Sequence, residues 1–339
     1  GTLEVRRGPG AGRTNPSFDR PTAQQTMAGV SASIPCVVLN TGHAMPVLGF
    51  GTGSSSTPED LPATILHAVR LGYRHIDTAS MYGTEGAVGA AVSDAVAAGA
   101  VTSRADLFIT SKLVMKDAHP DRVLPAIRES LARLGLDYLD LFLVHWPVAA
   151  DENNKPVPFD MEGVWHAMEE CHRIGLARSV GVSNFSAAKM SRLLAFAAVP
   201  PAVNQVEVNV GWRQEKVREA CAKNGVVVTA FSPLGAIGTA WGSNAVMESG
   251  ALEDIAARRG KTIAQVALRW LHEQGVCFVA RSFNKERLKQ NMELFDWELS
   301  VDDKEKIMGI PQRRACRAEF FLSPDGPYKT LEELWDGEI

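Results

Sequence analysis

The sequence has little of what marks several large protein classes. Its five cysteines, Cys36, Cys171, Cys221, Cys277 and Cys316, are odd in number, far apart and form no C-x-x-C pair. That usage excludes a disulfide scaffold and fits a reducing compartment, so a cytoplasmic location is expected. No apolar run reaches the roughly 18 residues a membrane span needs, and no membrane partner is expected. Positive charge is not in excess, with 35 Lys and Arg against 39 Asp and Glu. No basic field is therefore available to recruit nucleic acid. Glycine and proline, at 29 and 18, are too few for a collagen-like or low-complexity chain.

What remains is the composition of an ordinary globular protein, 45% hydrophobic and 22% charged over 339 residues. Two domains would fit that length, and so would a single α/β barrel of about 250 residues. Residues 1–26 stand apart. They carry Arg6, Arg7, Arg13 and Arg20 among Gly, Pro and Thr, without apolar periodicity, and Met27 is the first methionine. A leader or expression remnant, expected to be disordered, fits this stretch better than an Arg-rich transit peptide. Residues 27–339 are expected to form one domain.

From residue 47 onward, short β-branched runs alternate with longer amphipathic stretches. The runs cover 47–51, 73–77, 107–112, 139–145, 179–183, 202–208, 226–231 and 277–280. Helical patterns cover 58–71, 85–98, 121–134, 161–174, 187–197, 214–224, 262–273 and 285–294. Strict alternation argues for parallel strands with crossover helices. Runs as apolar as Leu139-Asp140-Leu141-Phe142-Leu143-Val144 have no wet face, as in buried parallel sheets. Eight units without G-x-G-x-x-G after the first strand favour a closed (β/α)8 TIM barrel over an open doubly wound sheet. A hairpin at 36–46, turning at Asn40-Thr41-Gly42, is expected to plug its N-terminal mouth. The aperiodic residues 311–339 are expected to form an extended loop draped over one end.

Barrels of this kind carry their chemistry at the C-terminal ends of the strands. There the sequence offers Asp77, then Tyr82 in the following loop, Lys112, and His145 before Trp146-Pro147. A free tyrosine, with a pKa of about 10, is a poor general acid near neutrality. A neighbouring ammonium lowers it, so Lys112, paired with Asp77, is expected to tune Tyr82. His145 would add a hydrogen bond to a substrate oxygen, which suits protonation of the alkoxide formed in carbonyl reduction. Singly, each residue has a plainer reading: a paired surface group, a packing lid, a satisfied core histidine. Their convergence on one face favours the chemistry. A metal site built on His75, Asp77 and His145 lacks a carboxylate or third histidine at a matching strand end, and no metal is expected. A Schiff-base role for Lys112 is disfavoured by pairing with Asp77, which keeps the amine protonated.

Residues 72–85, Gly-Tyr-Arg-His-Ile-Asp-Thr-Ala-Ser-Met-Tyr-Gly-Thr-Glu, resemble the first signature of the aldo-keto reductases. Ile109-Thr110-Ser111-Lys112-Leu113 is similar to the segment carrying their catalytic lysine, and Leu143-Val144-His145-Trp146-Pro147 to the one carrying their histidine. The resemblance runs in order from about Val37 to the C-terminus. It implies a (β/α)8 barrel and hydride transfer from NADPH to a small-molecule carbonyl. Tyr82 would be the general acid, tuned by Lys112 and Asp77, and His145 would orient the carbonyl. By the same resemblance Ser183, Asn184 and Gln205 hold the nicotinamide carboxamide. Phe231, where most members have Tyr, stacks beneath the ring, with Ser232 and Leu234 nearby. Arg281, Ser282, Phe283 and Arg287 fall on the NADP phosphate segment, with Gln290 and Asn291 near adenine. Arg281 replaces the usual Lys, and an Arg grips phosphate bidentately.

In the substrate pocket Gly53 and Val114 stand where related aldose reductases carry Trp, while Trp146 is kept. Loss of two rings implies a wider pocket and a bulkier carbonyl, unless the loop 148–159 or the tail refills the space. Residues 235–247 and 326–339 resemble a plant clade of ketone reductases that includes the deoxymugineic acid, chalcone and codeinone enzymes. The tail is most similar to the first of these and implies reduction of a 3″-oxo acid, with a chalcone- or codeinone-type ketone as the alternative. A monomer is expected. Some barrels of the family are NADPH-holding regulatory subunits with little turnover, which is the rival reading from another class.

Overall fold

Eight parallel strands close into a barrel in strict chain order in the computed structural model, which describes residues 33–54 and 56–339. They are β1 (Leu48–Gly51), β2 (His75–Asp77), β3 (Phe108–Leu113), β4 (Leu139–Val144), β5 (Ala177–Ser183), β6 (Val203–Glu207), β7 (Val227–Phe231) and β8 (Cys277–Ala280). Gly51 pairs with Asp77 and Asp77 with Thr110, while Asn204 against Val182 and Phe278 against Leu48 complete the ring. Every residue of β3 and β4 is buried, as expected for strands packed on both faces. The expected leader, residues 1–26, lies outside the described residues.

The crossover helices are α1 (Leu61–Leu71), α2 (Glu85–Ala97), α3 (Val123–Leu134), α4 (Met161–Arg173), α5 (Ala187–Leu194) and α6 (Glu215–Lys223). Beyond them come α7 (Gly250–Arg259), α8 (Ile263–Glu273), α9 (Lys285–Gln290), α10 (Val301–Met308) and α11 (Leu331–Trp335). Starts are fixed by side-chain caps. Asp160 accepts from Gly163 N at α4, Ser186 from Lys189 N at α5, and Thr262 with Gln265 forms a capping box at α8. Residues 58–60 are not helical, because Asp60 caps α1 and Pro62 occupies its first turn. Helices α7, α10 and α11 were not expected. α7 buries only Leu252, Ile255 and Ala256, and α10 only Ile307 beside Asp303, so neither shows a full apolar stripe.

The hairpin pairs Cys36–Val38 with Ala44–Pro46 and closes the N-terminal end. Thr41 Oγ1 lies 2.7 Å from Ser179 Oγ, and Asn40 donates to Pro201 O at 3.0 Å. The tail covers the opposite end, as expected. Cys316, Ala318, Phe321, Leu334 and Trp335 pack with Trp146 and Val148 into a separate apolar cluster. Lys189, buried on α5, pins it by donating at 2.6 Å to both Leu334 O and Asp336 Oδ2. No helix among the described residues is long and apolar enough to cross a membrane.

Candidate active site

At the C-terminal ends of β2 and β3, Lys112 Nζ donates to Asp77 Oδ1 at 2.5 Å and to Thr78 O at 2.9 Å. The second carboxylate oxygen, Asp77 Oδ2, accepts from Gln205 Nε2 at 2.9 Å. Lys112 Nζ also lies 5.0 Å from the centroid of the Tyr82 ring. Tyr82 sits on the single helical turn Ser80–Tyr82 after β2 and directs its hydroxyl to His145 Nε2 at 3.4 Å. Beside these, Asn184, in the left-handed region at φ 63, donates to His145 O at 3.0 Å. The structure thus brings together all four residues read as catalytic.

Burial pulls the Lys112 ammonium down in pKa, but Asp77 and Tyr82 more than offset this, and its net direction is up. Lys112 is therefore a fixed cation. For Tyr82 the expected lowering does not result. Burial raises the phenol, and Lys112, though it pulls the other way, does not reverse the direction. Tyr82 is accordingly neutral and protonated at physiological pH. Burial, then the charge of Lys112, holds His145 well below 6.5, so its imidazole is neutral as well. Its Nδ1 is buried without a partner. A proton on Nε2 leaves only a lone pair unsatisfied there instead of an N–H, and makes Nε2 a donor facing the Tyr82 hydroxyl.

One cavity of about 1140 Å³ opens onto Asp77, Tyr82 and His145. This exceeds the roughly 300–1,000 Å³ of a site for one small molecule and leaves room for two ligands side by side. Ser183 and Asn184 at the end of β5, Gln205 on β6, and Phe231, Ser232 and Leu234 at and beyond the end of β7 line it. Arg281, Ser282, Phe283, Arg287, Gln290 and Asn291 line it after β8. Amide groups in one region, guanidinium groups in another and the Phe231 ring match the donor chemistry of a nicotinamide dinucleotide phosphate. Arg281 Nη1 donates to Ser54 Oγ at 2.6 Å and Nη2 to Ile237 O at 3.2 Å, which ties the loops after β1 and β7 to β8.

Of the three residues read as substrate walls, Trp146 and Gly53 line the cavity. A Cβ on Gly53 would lie 3.0 Å from Tyr82 Cε2, so the glycine lets the tyrosine ring rest against the loop after β1. Val114 does not line it. β3 ends at Leu113 and a helical turn begins at Met115, which breaks the strand alternation and presents Met115 instead. Sequence reasoning also missed Met81, Ile237, Trp241, Cys316 and Phe320 as cavity residues. Met81 and Phe320 lie on single helical turns and the other three in loops, where no periodicity shows which side chains face the cavity.

A profile of the aldo/keto reductase family matches residues 47–311. Deoxymugineic acid synthase 1 of Oryza sativa is 53% identical over 307 residues, covering 88% of this chain and 96% of that protein. The 7-acetyl-epi-neemfruitin B aldo-keto reductase of Melia azedarach is 51% identical over 317 residues, covering 91% and 99%. Among solved structures, an aldo-keto reductase of Bombyx mori in complex with NADP superposes with a TM-score of 0.80 at 35% identity, over 87% of this chain and 98% of that one. The barrel, the buried Asp77–Lys112 pair beside Tyr82 and these similarities show that the chain belongs to the aldo/keto reductase family of NADP(H)-dependent oxidoreductases.

Proposed function

We propose that the protein reduces a ketone or aldehyde on a bulky metabolite to the alcohol, with NADPH as reductant and Tyr82 as proton donor. The observation that carries this reading is the meeting of two neutral donors, Tyr82 Oη and His145 Nε2, 3.4 Å apart beside a buried ammonium. When bound, the reduced nicotinamide supplies a hydride to the carbonyl carbon. His145 Nε2–H orients the carbonyl oxygen, and Tyr82 gives its proton to that oxygen as negative charge develops. The phenolate left on Tyr82 is stabilised by Lys112, and Asp77 keeps Lys112 charged. Ser183, Asn184 and Gln205 would hold the carboxamide, Phe231 would stack on the ring, and Arg281 and Arg287 would take the phosphates.

The protein acts on this reading as a monomer in the cytosol, and five free thiols support a reducing compartment. The tail motif, with the Oryza relative, favours a 3″-oxo acid as substrate. The name of the Melia relative points instead to an acetylated compound. The test is loss of reduced-nicotinamide absorbance with NADPH, then NADH, against an aromatic aldehyde, an α-keto acid and a bulky cyclic ketone. NADPH-selective oxidation with at least one carbonyl supports the reading. Tight NADPH binding with no turnover on any of them would favour a regulatory binding subunit.

A further inference from the structure

Thr84 stands immediately before α2, where a threonine hydroxyl ordinarily accepts a backbone N–H of the first turn. Here it accepts none. Its Oγ1 lies instead 2.8 Å from Thr78 Oγ1 and 2.9 Å from Thr52 Oγ1, and all three threonines are buried. Thr52 Oγ1 in turn donates to Asp77 O at 3.1 Å. A carbonyl oxygen only accepts, and each hydroxyl has a single proton to give. The chain therefore runs in one sense. Thr78 donates to Thr84, Thr84 to Thr52, and Thr52 to Asp77 O, with Thr84 as the middle hydroxyl.

These bonds enclose the segment that carries Tyr82. Thr78 and Thr84 flank the loop 79–83, so the contact between their side chains closes its neck. Thr78 O is also the second acceptor of Lys112 Nζ, at 2.9 Å, and Ser80 Oγ within the loop donates to Lys112 O at 3.0 Å. On the other side of Thr84, Glu85 is buried and accepts from Ser111 Oγ and from Arg133 Nε, both at 2.6 Å. Ser111 precedes Lys112 on β3. The start of α2 is thus fastened to the strand that bears the lysine, and Thr84 fastens the tyrosine loop to that same start. The Tyr82 hydroxyl meets His145 Nε2 at 3.4 Å, a long contact, so its aim depends on the backbone beneath it.

We propose that Thr84 is a positioning residue for the proton transfer: its hydroxyl, bonded on both sides, holds the Tyr82 loop in register with Lys112 and His145. This role rests on the reading of Tyr82 as proton donor and extends it to a side chain outside the cavity lining. Misplacing a reacting group by about 1 Å can cost as much as 10²-fold in rate, so a hydroxyl remote from the substrate can matter this much.

The test uses the full chain with NADPH and an aromatic aldehyde. Thr84→Val keeps the branched shape and removes the hydroxyl, whereas Thr84→Ser keeps the hydroxyl. Expected in Thr84→Val is a kcat lower by about 10- to 100-fold, with KM and NADPH affinity changed by no more than about twofold. Thr84→Ser should restore most of the kcat. In a Tyr82→Phe background, where the donor is gone, Thr84→Val should cost no further kcat beyond about twofold. An effect on folding alone would lower kcat by the same factor in both backgrounds, and that result overturns the proposal. So does an unchanged kcat in Thr84→Val. If Thr84→Val does not fold, Thr78→Val opens the neck while leaving Thr84 bonded to Thr52, and the same comparison in the two backgrounds decides. A wild-type kcat in Tyr82→Phe alone overturns the reading of Tyr82 as donor, and the role of Thr84 with it. A loss in Tyr82→Phe with none in Thr84→Val overturns only the role of Thr84.

Discussion

Lys112 Nζ and Asp77 Oδ1 lie 2.5 Å apart, with both side chains closed off from solvent. A cation and an anion held this far from water are useful only together, because either alone would carry a large desolvation cost. Their joint effect falls on Tyr82, whose ring the ammonium faces.

Replacing Asp77 by Asn tests that dependence. The variant leaves Lys112 buried without its counter-charge, and a broken buried pair costs about 3–5 kcal/mol. Urea unfolding should show a loss of that order, together with a fall in kcat. Unchanged stability would mean that the pair does not hold the lysine.

The segment after β8 yields a second prediction. Arg287 is exposed and lines the cavity, which suits a charge-assisted grip on a phosphate. In Arg287→Ala, titration by fluorescence should show NADPH affinity down by about tenfold or more and NADH affinity much less changed. Equal losses for both would reject a 2′-phosphate contact there.

The titration behaviour of the site gives a third. Tyr82 is pushed up from 10.0, so the proton donor stays loaded across neutrality, and kcat for reduction should be flat between about pH 6 and 8. His145 is pushed below 6.5 by burial and by Lys112. Below pH 6.5 the unfolded chain takes up a proton there that the folded one refuses, so stability is full above that value and declines as pH falls. Urea midpoints measured between about pH 5 and 7.5 should show this slope, and His145→Gln should reduce it, the part that remains coming from His75, which burial also pushes below 6.5. A slope of the opposite sign would contradict the buried neutral imidazole.

Strands and sites were legible to different degrees. Buried parallel strands are apolar runs bounded by turn residues, so all eight stood out and their observed bounds differ by at most two residues from those expected. Because the barrel presents strand ends on one face, Asp77, Lys112 and His145 could be grouped from position alone. The rest depended on irregular backbone. The turn beginning at Met115 exchanges it for Val114 in the cavity, and no periodicity reveals such a turn. Trp241 and Phe320 sit on loops whose paths are set by distant contacts, the loop after β7 held by Arg281 and the tail by Lys189. Nor did charge counting show the direction of Tyr82, since depth of burial outweighs the neighbouring lysine.

The central claim is that Tyr82 delivers the proton in an NADPH-dependent reduction. Steady-state reduction of an aromatic aldehyde by Tyr82→Phe, with NADPH binding measured in parallel by fluorescence, tests it most directly. The account predicts a kcat lower by roughly 10²–10⁴-fold while NADPH still binds. A kcat equal to that of the wild-type protein would contradict it.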